Sequence, residues 1–475
     1  MNLSSLLNDA SAPEIPLAGL SEHTAEILPG YGFIGVAVDP DVLARHCLAA
    51  QNNGAVVVLH DSAEVNELDG VSVPLVRVPG LSVQRGGLAA RFYGDPSAAM
   101  TCVGVTGTNG KTSVAYHIAD LSSRLGAPMG YAGTLGWGGL DDLRDSDMTT
   151  PNAVALQREL AALHEQGMAG AALEVSSHAL AQDRAADVQF DYAVFTNLTR
   201  DHLDYHGTHQ AYGAAKTKLF SRWPLRAALI NVADPFGAQL VAQTEVPVVS
   251  YGTGGDWSWQ ARPQANGLQI AWDTPQGRFE LQLPLVADYA VANVTAAAAT
   301  MVSMGHAAVA VFEQLPHMRP VPGRMEVVAR PGMPRVVVDY AHTPDALGKV
   351  LDALRAFCAG RLICLIGCGG DRDVGKRPLM GAAAEQGADV VWLTSDNPRS
   401  EAPADIIADM RKGIRTQVHE CIDRGQAIRE ALSQACAQDV VLVAGKGHET
   451  CQEIDGQLLP FDDRQVVAEA LEELG

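Results

Sequence analysis

The 475-residue chain is 47% hydrophobic and 19% charged, the balance of a globular protein, and at roughly 100–200 residues per domain it suggests about three domains. Its 55 acidic against 34 basic residues give a formal charge of −21. That excludes a broad nucleic-acid or anionic-membrane surface, but leaves room for an anionic small molecule held by a few local cations.

The opening segment, Met1 to Ala10, has no basic stretch followed by an apolar run, so a cytoplasmic location is expected. The N-terminal region reads as a small α/β unit with short strands at 55–59 and 74–78. The apolar segment Thr101–Val105 is a buried strand running into a glycine loop. A helix follows with Val114, Ile118, Leu121 and Leu125 on one face, stopped by Gly126. Strands at 171–174, 192–196 and 227–231 alternate with helices, which implies a parallel sheet. The longest uncharged run, Ala290 to Phe312, is rich in alanine and carries Asn293 and Thr295; it reads as buried helices, not a membrane span. The stretch 319–323, Arg-Pro-Val-Pro-Gly, reads as a linker. Beyond it, strands at 335–338, 362–366, 390–394 and 440–444 each end in a polar or glycine-bearing loop, the pattern of a doubly wound sheet with a site at its carboxyl edge. The eight cysteines form no Cys-x-x-Cys pair, so neither a disulfide framework nor a zinc site is expected.

Chemistry concentrates in those loops. In Gly104 to Ser113, Gly107 and Gly110 let the backbone approach phosphates, successive N–H groups and a helix N-terminus favour an anion, Lys111 reaches the β/γ-phosphates and the Thr112 hydroxyl can ligate Mg²⁺. Val105 stands where the generic phosphate-loop spacing needs a glycine, so a plain glycine-rich turn stays open. Glu174, at the carboxyl end of a strand, is placed either to hold Mg²⁺ or as a solvated strand-end carboxylate. The segment 197–207 clusters Asp201, His202, Asp204 and His206, with His202 a metal ligand or part of a polar loop. Composition alone makes Lys216 a surface lysine. Thr343 and Pro344 open a helix after Asp339. Gly367 to Asp373 is a tight loop presenting Arg372. In the segment 396–399, Asp-Asn-Pro-Arg, Asn397 and Arg399 suit a carboxylate. Gly445 to Glu449 offers a carboxylate for an ammonium group.

Six strings in order resemble the Mur ligases: Thr-Gly-Thr-Asn-Gly-Lys-Thr (106–112), Thr-Thr-Pro-Asn (149–152), Glu-Val-Ser-Ser-His-Ala-Leu (174–180), Asp-His-Leu-Asp-Tyr-His-Gly (201–207), Asp-Tyr-Ala-His-Thr-Pro (339–344) and Asp-Asn-Pro-Arg (396–399). The resemblance implies an α/β protein of three domains: a small N-terminal α/β uridine-nucleotide domain (1–97), a central phosphate-loop ATPase with a parallel sheet (98–318), and a C-terminal amino-acid domain of dinucleotide-fold type (319–475). It implies that Gly107, Thr108, Asn109, Gly110, Lys111 and Thr112 hold ATP, with Asn293 at the adenine and Arg324 and Asp339 at the phosphates and ribose. Thr112, Glu174, His202 and Lys216 would hold Mg²⁺, Lys216 as a CO₂-derived carbamate. Thr149, Thr150, Ser176 and Arg184 would hold a UDP-linked muramoyl dipeptide. Arg372, Asp396, Asn397, Pro398, Arg399, Gly445 and Glu449 would hold meso-diaminopimelate, with Arg399 the discriminator against lysine.

The implied activity is ATP-dependent amide formation, through an acyl phosphate, in peptidoglycan precursor synthesis, with Lys111, Glu174, His202 and Lys216 as catalytic residues. Neither a nucleic-acid nor a membrane partner is implied, and the chain is expected to work as a monomer. Two departures are local: the family's Asp-Ser-Arg motif is replaced by Leu20-Ser-Glu-His, so no uracil contacts transfer there, and the adenine helix has Asp288-Tyr-Ala290 where an earlier asparagine is common. The rival readings are a lysine-adding relative, a folylpolyglutamate-type ligase, a nucleotide switch, and a dinucleotide oxidoreductase, for which the Gly367 loop lacks a third glycine.

Overall fold

The computed structural model describes residues 1–36, 39–63, 68–146, 148–264 and 267–475. The chain divides into two compact units: Met1–Ser258 with Thr295–Gln314, and Trp259–Val294 with Leu315–Gly475.

The first unit holds two sheets. Strands β1 (Gly19–Ser21), β2 (Tyr31–Gly35), β3 (Val57–His60) and β4 (Leu75–Arg77) pair in parallel and in chain order. One face of this sheet buries Leu20, Ile34, Val57 and Leu59, and the other buries Phe33 and Val58.

The larger sheet comprises β5 (Thr101–Thr106), β6 (Met129–Gly133), β7 (Gly136–Gly138), β8 (Gly170–Glu174), β9 (Tyr192–Phe195), β10 (Ala227–Asn231) and β11 (Val248–Tyr251), in the order β11-β10-β9-β5-β8-β6-β7. Residues 102–106 of β5 are all buried, as a parallel strand covered on both faces requires. Only β7 runs antiparallel, on β6, an edge hairpin that the expectation of a parallel sheet did not include. The helix Lys111–Arg124 follows β5 directly and buries Val114, Ile118 and Leu121. The uncharged run forms two helices, Asp288–Ser303 and Ala308–Gln314, and no helix is long and apolar enough to cross a membrane among the described residues.

In the second unit, β12 (Ser258–Gln264), β13 (Gly267–Thr274) and β14 (Gly277–Leu283) form a three-stranded sheet, with β13 and β14 antiparallel. Sequence periodicity passed over these strands, whose exposed positions carry Arg262, Gln264 and Glu280. The main sheet is β15 (Glu326–Val328), β16 (Arg335–Asp339), β17 (Leu362–Ile366), β18 (Val390–Leu393), β19 (His419–Glu420) and β20 (Val440–Ala444), ordered β15-β16-β20-β17-β18-β19. All pair in parallel except β15 with β16. The helix Pro344–Arg355 packs Leu347, Val350, Leu351 and Leu354 inward, at the i, i+3, i+4, i+7 spacing of an amphipathic helix. A short antiparallel hairpin, β21 (Cys451–Ile454) with β22 (Gln457–Pro460), follows β20.

Candidate active site

In the first unit the site begins at the carboxyl end of β5. Gly107 lies so close to the residues just past β9 that a Cβ there would sit 1.8 Å from the Thr196 hydroxyl, so only glycine fits. Two loop N–H groups are already engaged: Thr108 donates to the Asn197 carbonyl at 2.8 Å and Asn109 to Asn197 Oδ1 at 3.0 Å. Gly110 (φ 86°) is the N-cap of the helix Lys111–Arg124, an N-terminus of the kind that suits an anion. The Lys111 ammonium donates to the carbonyls of Gly107 (3.1 Å) and Thr108 (3.0 Å).

Glu174 is 1% exposed, which removes the reading of a solvated strand end. Its Oε2 accepts from the Thr112 hydroxyl (3.0 Å), and its Oε1 accepts from the Tyr131 hydroxyl and from Thr134 N–H (2.8 Å). Every one of these donors is neutral, and together they hold the carboxylate in one orientation. Glu174 is also tied to the loop at 149–152, through Thr134 and through its main-chain carbonyl. Thr134 Oγ1 lies 3.1 Å from Thr149 Oγ1, and Thr150 donates to the Glu174 carbonyl at 2.7 Å. Ser176 N–H donates in turn to Thr150 Oγ1 (3.1 Å), and Arg184 donates to the Thr150 carbonyl. Thr112, Glu174, Thr149, Thr150, Ser176 and Arg184 thus form one hydrogen-bonded unit.

Lys216, the surface lysine of composition alone, is 1% exposed. The helix His209–Ser221 places it there by burying Tyr212, Ala215, Leu219 and Phe220 on the same side. Its ammonium donates to the Gly107 carbonyl at 2.8 Å and stands 4.5 Å over the Tyr212 ring. Burial pushes its pKa well below the usual lysine range, and the neighbouring Lys111 charge acts in the same direction.

His202 is held in the left-handed region (φ 51°), half exposed, 3.5 Å from Asp201, in an edge-on ring contact with His178. Tyr205 and His206 complete that cluster, with His206 Nε2 3.0 Å from Ser177 Oγ. Tyr212 is the ring common to His202 and Lys216. The four expected metal ligands therefore fall into Thr112 with Glu174, Lys216 on the loop, and His202 among rings. No group of three or more His, Cys, Asp or Glu side chains is close enough to hold an ion among the described residues. A buried carboxylate beside a hydroxyl at a phosphate loop nonetheless fits Mg²⁺, which takes one or two protein oxygens and completes its shell with phosphate and water.

The departing N-terminal stretch is explained locally. Glu22 Oε1 accepts from Val154 N–H at 3.1 Å, at the start of the helix Ala153–Glu165, and Oε2 lies 3.4 Å from Arg85. Burial pushes the Glu22 carboxyl up, partly countered by Arg85.

In the second unit the polar loops gather at the carboxyl ends of β17, β18 and β20. Arg399 is also left-handed (φ 52°); its guanidinium pairs with Glu453 (2.8 Å) and donates to the Gly370 carbonyl (2.8 Å). Arg372 is exposed on the neighbouring loop. Asn397 Nδ2 donates to Glu449 Oε2 at 2.8 Å, and Gln452 donates to the Asp396 carbonyl at 2.6 Å. The Glu449 carboxylate also meets an ammonium already inside the protein, that of Lys446 at 2.8 Å.

Asp339 is buried, accepting from Met325 N–H (2.7 Å) and Ala341 N–H (2.8 Å); burial raises its pKa against the lowering effect of Arg324, whose guanidinium lies over the Tyr340 ring at 4.5 Å. Asn293 lies half-buried on the helix Asp288–Ser303.

Residues that motif reading did not single out hold these loops. Arg424 and Asp463 form a fully buried bidentate pair at 2.7 Å, and Arg424 also donates to the carbonyls of Ser395, just past β18, and Ala444, the last residue of β20. Arg377 bridges Glu401 (2.7 Å) and Asp409 (3.1 Å). Nothing local marks these five residues, because their partners lie on distant segments. Tyr131, Thr134 and Asn197 were missed for the same reason.

The Mur ligase middle domain family matches residues 105–301, and the Mur ligase glutamate ligase domain family matches residues 323–447. The chain is 45% identical to the UDP-N-acetylmuramoyl-L-alanyl-D-glutamate–2,6-diaminopimelate ligase of Alkalilimnicola ehrlichii, over 98% of this chain and 97% of that one. It is 43% identical to the ligase of the same name from Pseudomonas aeruginosa, over 99% and 98%. A solved structure of a ligase so named superposes with a TM-score of 0.73 at 35% identity, covering 100% of this chain and 99% of that one.

Proposed function

The chain belongs to the Mur ligases, and from that premise we propose that it joins meso-diaminopimelate to UDP-N-acetylmuramoyl-L-alanyl-D-glutamate at the expense of ATP. One observation in the structure supports this reading above others. The loop with Thr149 and Thr150 is hydrogen-bonded to Glu174, and Glu174 to Thr112 of the phosphate loop. An acceptor carboxylate held at 149–150 and 176–184 would therefore lie beside the ATP phosphates, as phosphoryl transfer to that carboxylate demands.

A carboxylate has no good leaving group. Transfer of the γ-phosphoryl to the D-glutamate γ-carboxylate gives an acyl phosphate; the incoming amine then attacks the carbonyl, and the tetrahedral intermediate expels phosphate. Lys111 and the helix N-terminus at Gly110 offset charge on the phosphoryl oxygens. Thr112 and Glu174 would hold Mg²⁺, with His202 a further ligand; the ion supplies charge neutralisation of the phosphates. Gly107, Thr108 and Asn109 shape the loop, while Asn293, Arg324 and Asp339 serve adenine, phosphates and ribose.

Lys216 would act as its carbamate. Carbamate formation needs a neutral amine to attack CO₂ and release a proton, and burial beside Lys111 favours the neutral amine. The product is a carboxylate on a lysine arm, which offsets the Lys111 charge and adds an oxygen donor near the loop.

The amino acid would be taken by Arg372, Asn397, Arg399 and Glu449, with Asp396, Pro398 and Gly445 shaping the pocket. Arg399 favours diaminopimelate over lysine, since only diaminopimelate carries a second carboxylate at its far end. The three-domain division at 97/98 and 318/319 is part of the same proposal. Phosphate release should require the UDP-linked dipeptide and diaminopimelate together. Release at an equal rate with lysine would overturn the specificity.

A further inference from the structure

Lys446 lies between the two residues proposed to meet the amino acid. Its side chain is 0% exposed, and its ammonium donates to Asn397 Oδ1 at 3.0 Å and to Glu449 Oε2 at 2.8 Å. Asn397 closes the triangle by donating from Nδ2 to the same Glu449 oxygen. A buried ammonium is costly unless paired and hydrogen-bonded, so this arrangement is held by what it orders.

The order has a direction. Asn397 Oδ1 accepts from both Lys446 and Glu453 N–H (3.1 Å), which fixes the amide so that its NH₂ points away from the ammonium. One NH₂ proton goes to Glu449 and the second remains as a donor. On the carboxylate, Oε2 is saturated by Lys446 and Asn397, which leaves Oε1 as the acceptor. If the amide flipped, its NH₂ would face the ammonium, donor against donor. Lys446 therefore sorts the pocket into a donor side at Asn397 and an acceptor side at Glu449.

We propose that Lys446 is a positioning residue for the amino-acid substrate: it sets the polarity of Asn397 and Glu449 to receive a zwitterion, carboxylate on one side and ammonium on the other. This rests on the reading of Asn397 and Glu449 as the amino-acid site. A zwitterionic amino acid, unlike a simple amine, needs both sides at once.

The test is steady-state phosphate release by the full-length enzyme with each substrate varied in turn. Lys446→Met, which keeps the length and removes the charge, should raise KM for diaminopimelate about tenfold or more, as for loss of one charge-assisted hydrogen bond, and leave KM for ATP and for the UDP-linked dipeptide within about twofold. Lys446→Gln, which can still donate to one partner, should fall between Met and wild type. Asn397→Ala and Lys446→Met should combine less than additively, because they share one interaction. Equal rises in all three KM values, or an unchanged KM for diaminopimelate, would overturn the proposal. If Asn397→Ala and Glu449→Gln also left that KM unchanged, the site reading itself would fail; if they raised it and the Lys446 variants did not, only the role of Lys446 would fall. Should Lys446→Met not fold, Lys446→Gln decides by the same comparison of KM values.

Discussion

Two sheet edges in this protein handle charge in opposite ways. At the phosphate-loop edge, Lys111 and Lys216 donate to the backbone carbonyl of Gly107, and the buried Glu174 is held by hydroxyls and an N–H. At the edge of the second unit, the cations are matched to carboxylates inside the protein: Arg399 with Glu453, Lys446 with Glu449, Arg377 with Glu401 and Asp409, Arg424 with Asp463. The first arrangement holds its groups through backbone carbonyls, hydroxyls and an N–H, and burial beside the Lys111 charge pushes the Lys216 pKa down. The second holds its groups in register through internal ion pairs, and on the proposed function a ligand carboxylate would have to take Arg399 from Glu453. On the proposed function, the first edge would serve turnover, and exchange of partners at the second would serve selection.

The contrast breaks most completely at Lys216. Lys216→Ala should abolish phosphate release, and short carboxylic acids added to the variant should restore part of it; full activity in the untreated variant would end the carbamate reading. Next is the paired edge, where Arg424→Met leaves Asp463 buried without its cation and should cost about 3–5 kcal/mol of stability, read as a lowered urea midpoint. Asp463→Asn combined with Arg424→Met should recover much of it. Glu174→Gln keeps shape and most hydrogen bonds but removes the charge. It should lower kcat by about 10²–10³ and weaken the response to Mg²⁺, with the urea midpoint little changed. The mildest change is Arg399→Lys, which exchanges a planar fork for a point charge. It should raise KM for diaminopimelate roughly tenfold and narrow the preference over lysine, while KM for ATP stays fixed.

The local signals were clear where one segment carries its own meaning. Strand β5 followed by Gly107, Gly110 and Lys111 reads directly, because the apolar run, the loop and the helix face are consecutive. The helix Pro344–Arg355 is as plain, from its Thr343 cap to its apolar stripe; the Thr343 hydroxyl does accept from Ala346 N–H, at 3.3 Å. The edge strands β7 and β15 and the hairpins β13–β14 and β21–β22 were not legible. Short or two-sided polar strands take their form from the partner they pair with, not from their own periodicity.

By itself the sequence determined the α/β alternation, the phosphate loop, the family and the positions of the candidate residues, since each is written in contiguous runs. Only the tertiary structure decided their chemical state. It buried Lys216 under the Gly107 carbonyl, caged Glu174 with Tyr131 and Thr134, engaged the N–H groups of Thr108 and Asn109 with Asn197, and set Lys446 between Asn397 and Glu449. Burial and partners fix a side chain's charge and orientation, and both come from segments far apart in the chain.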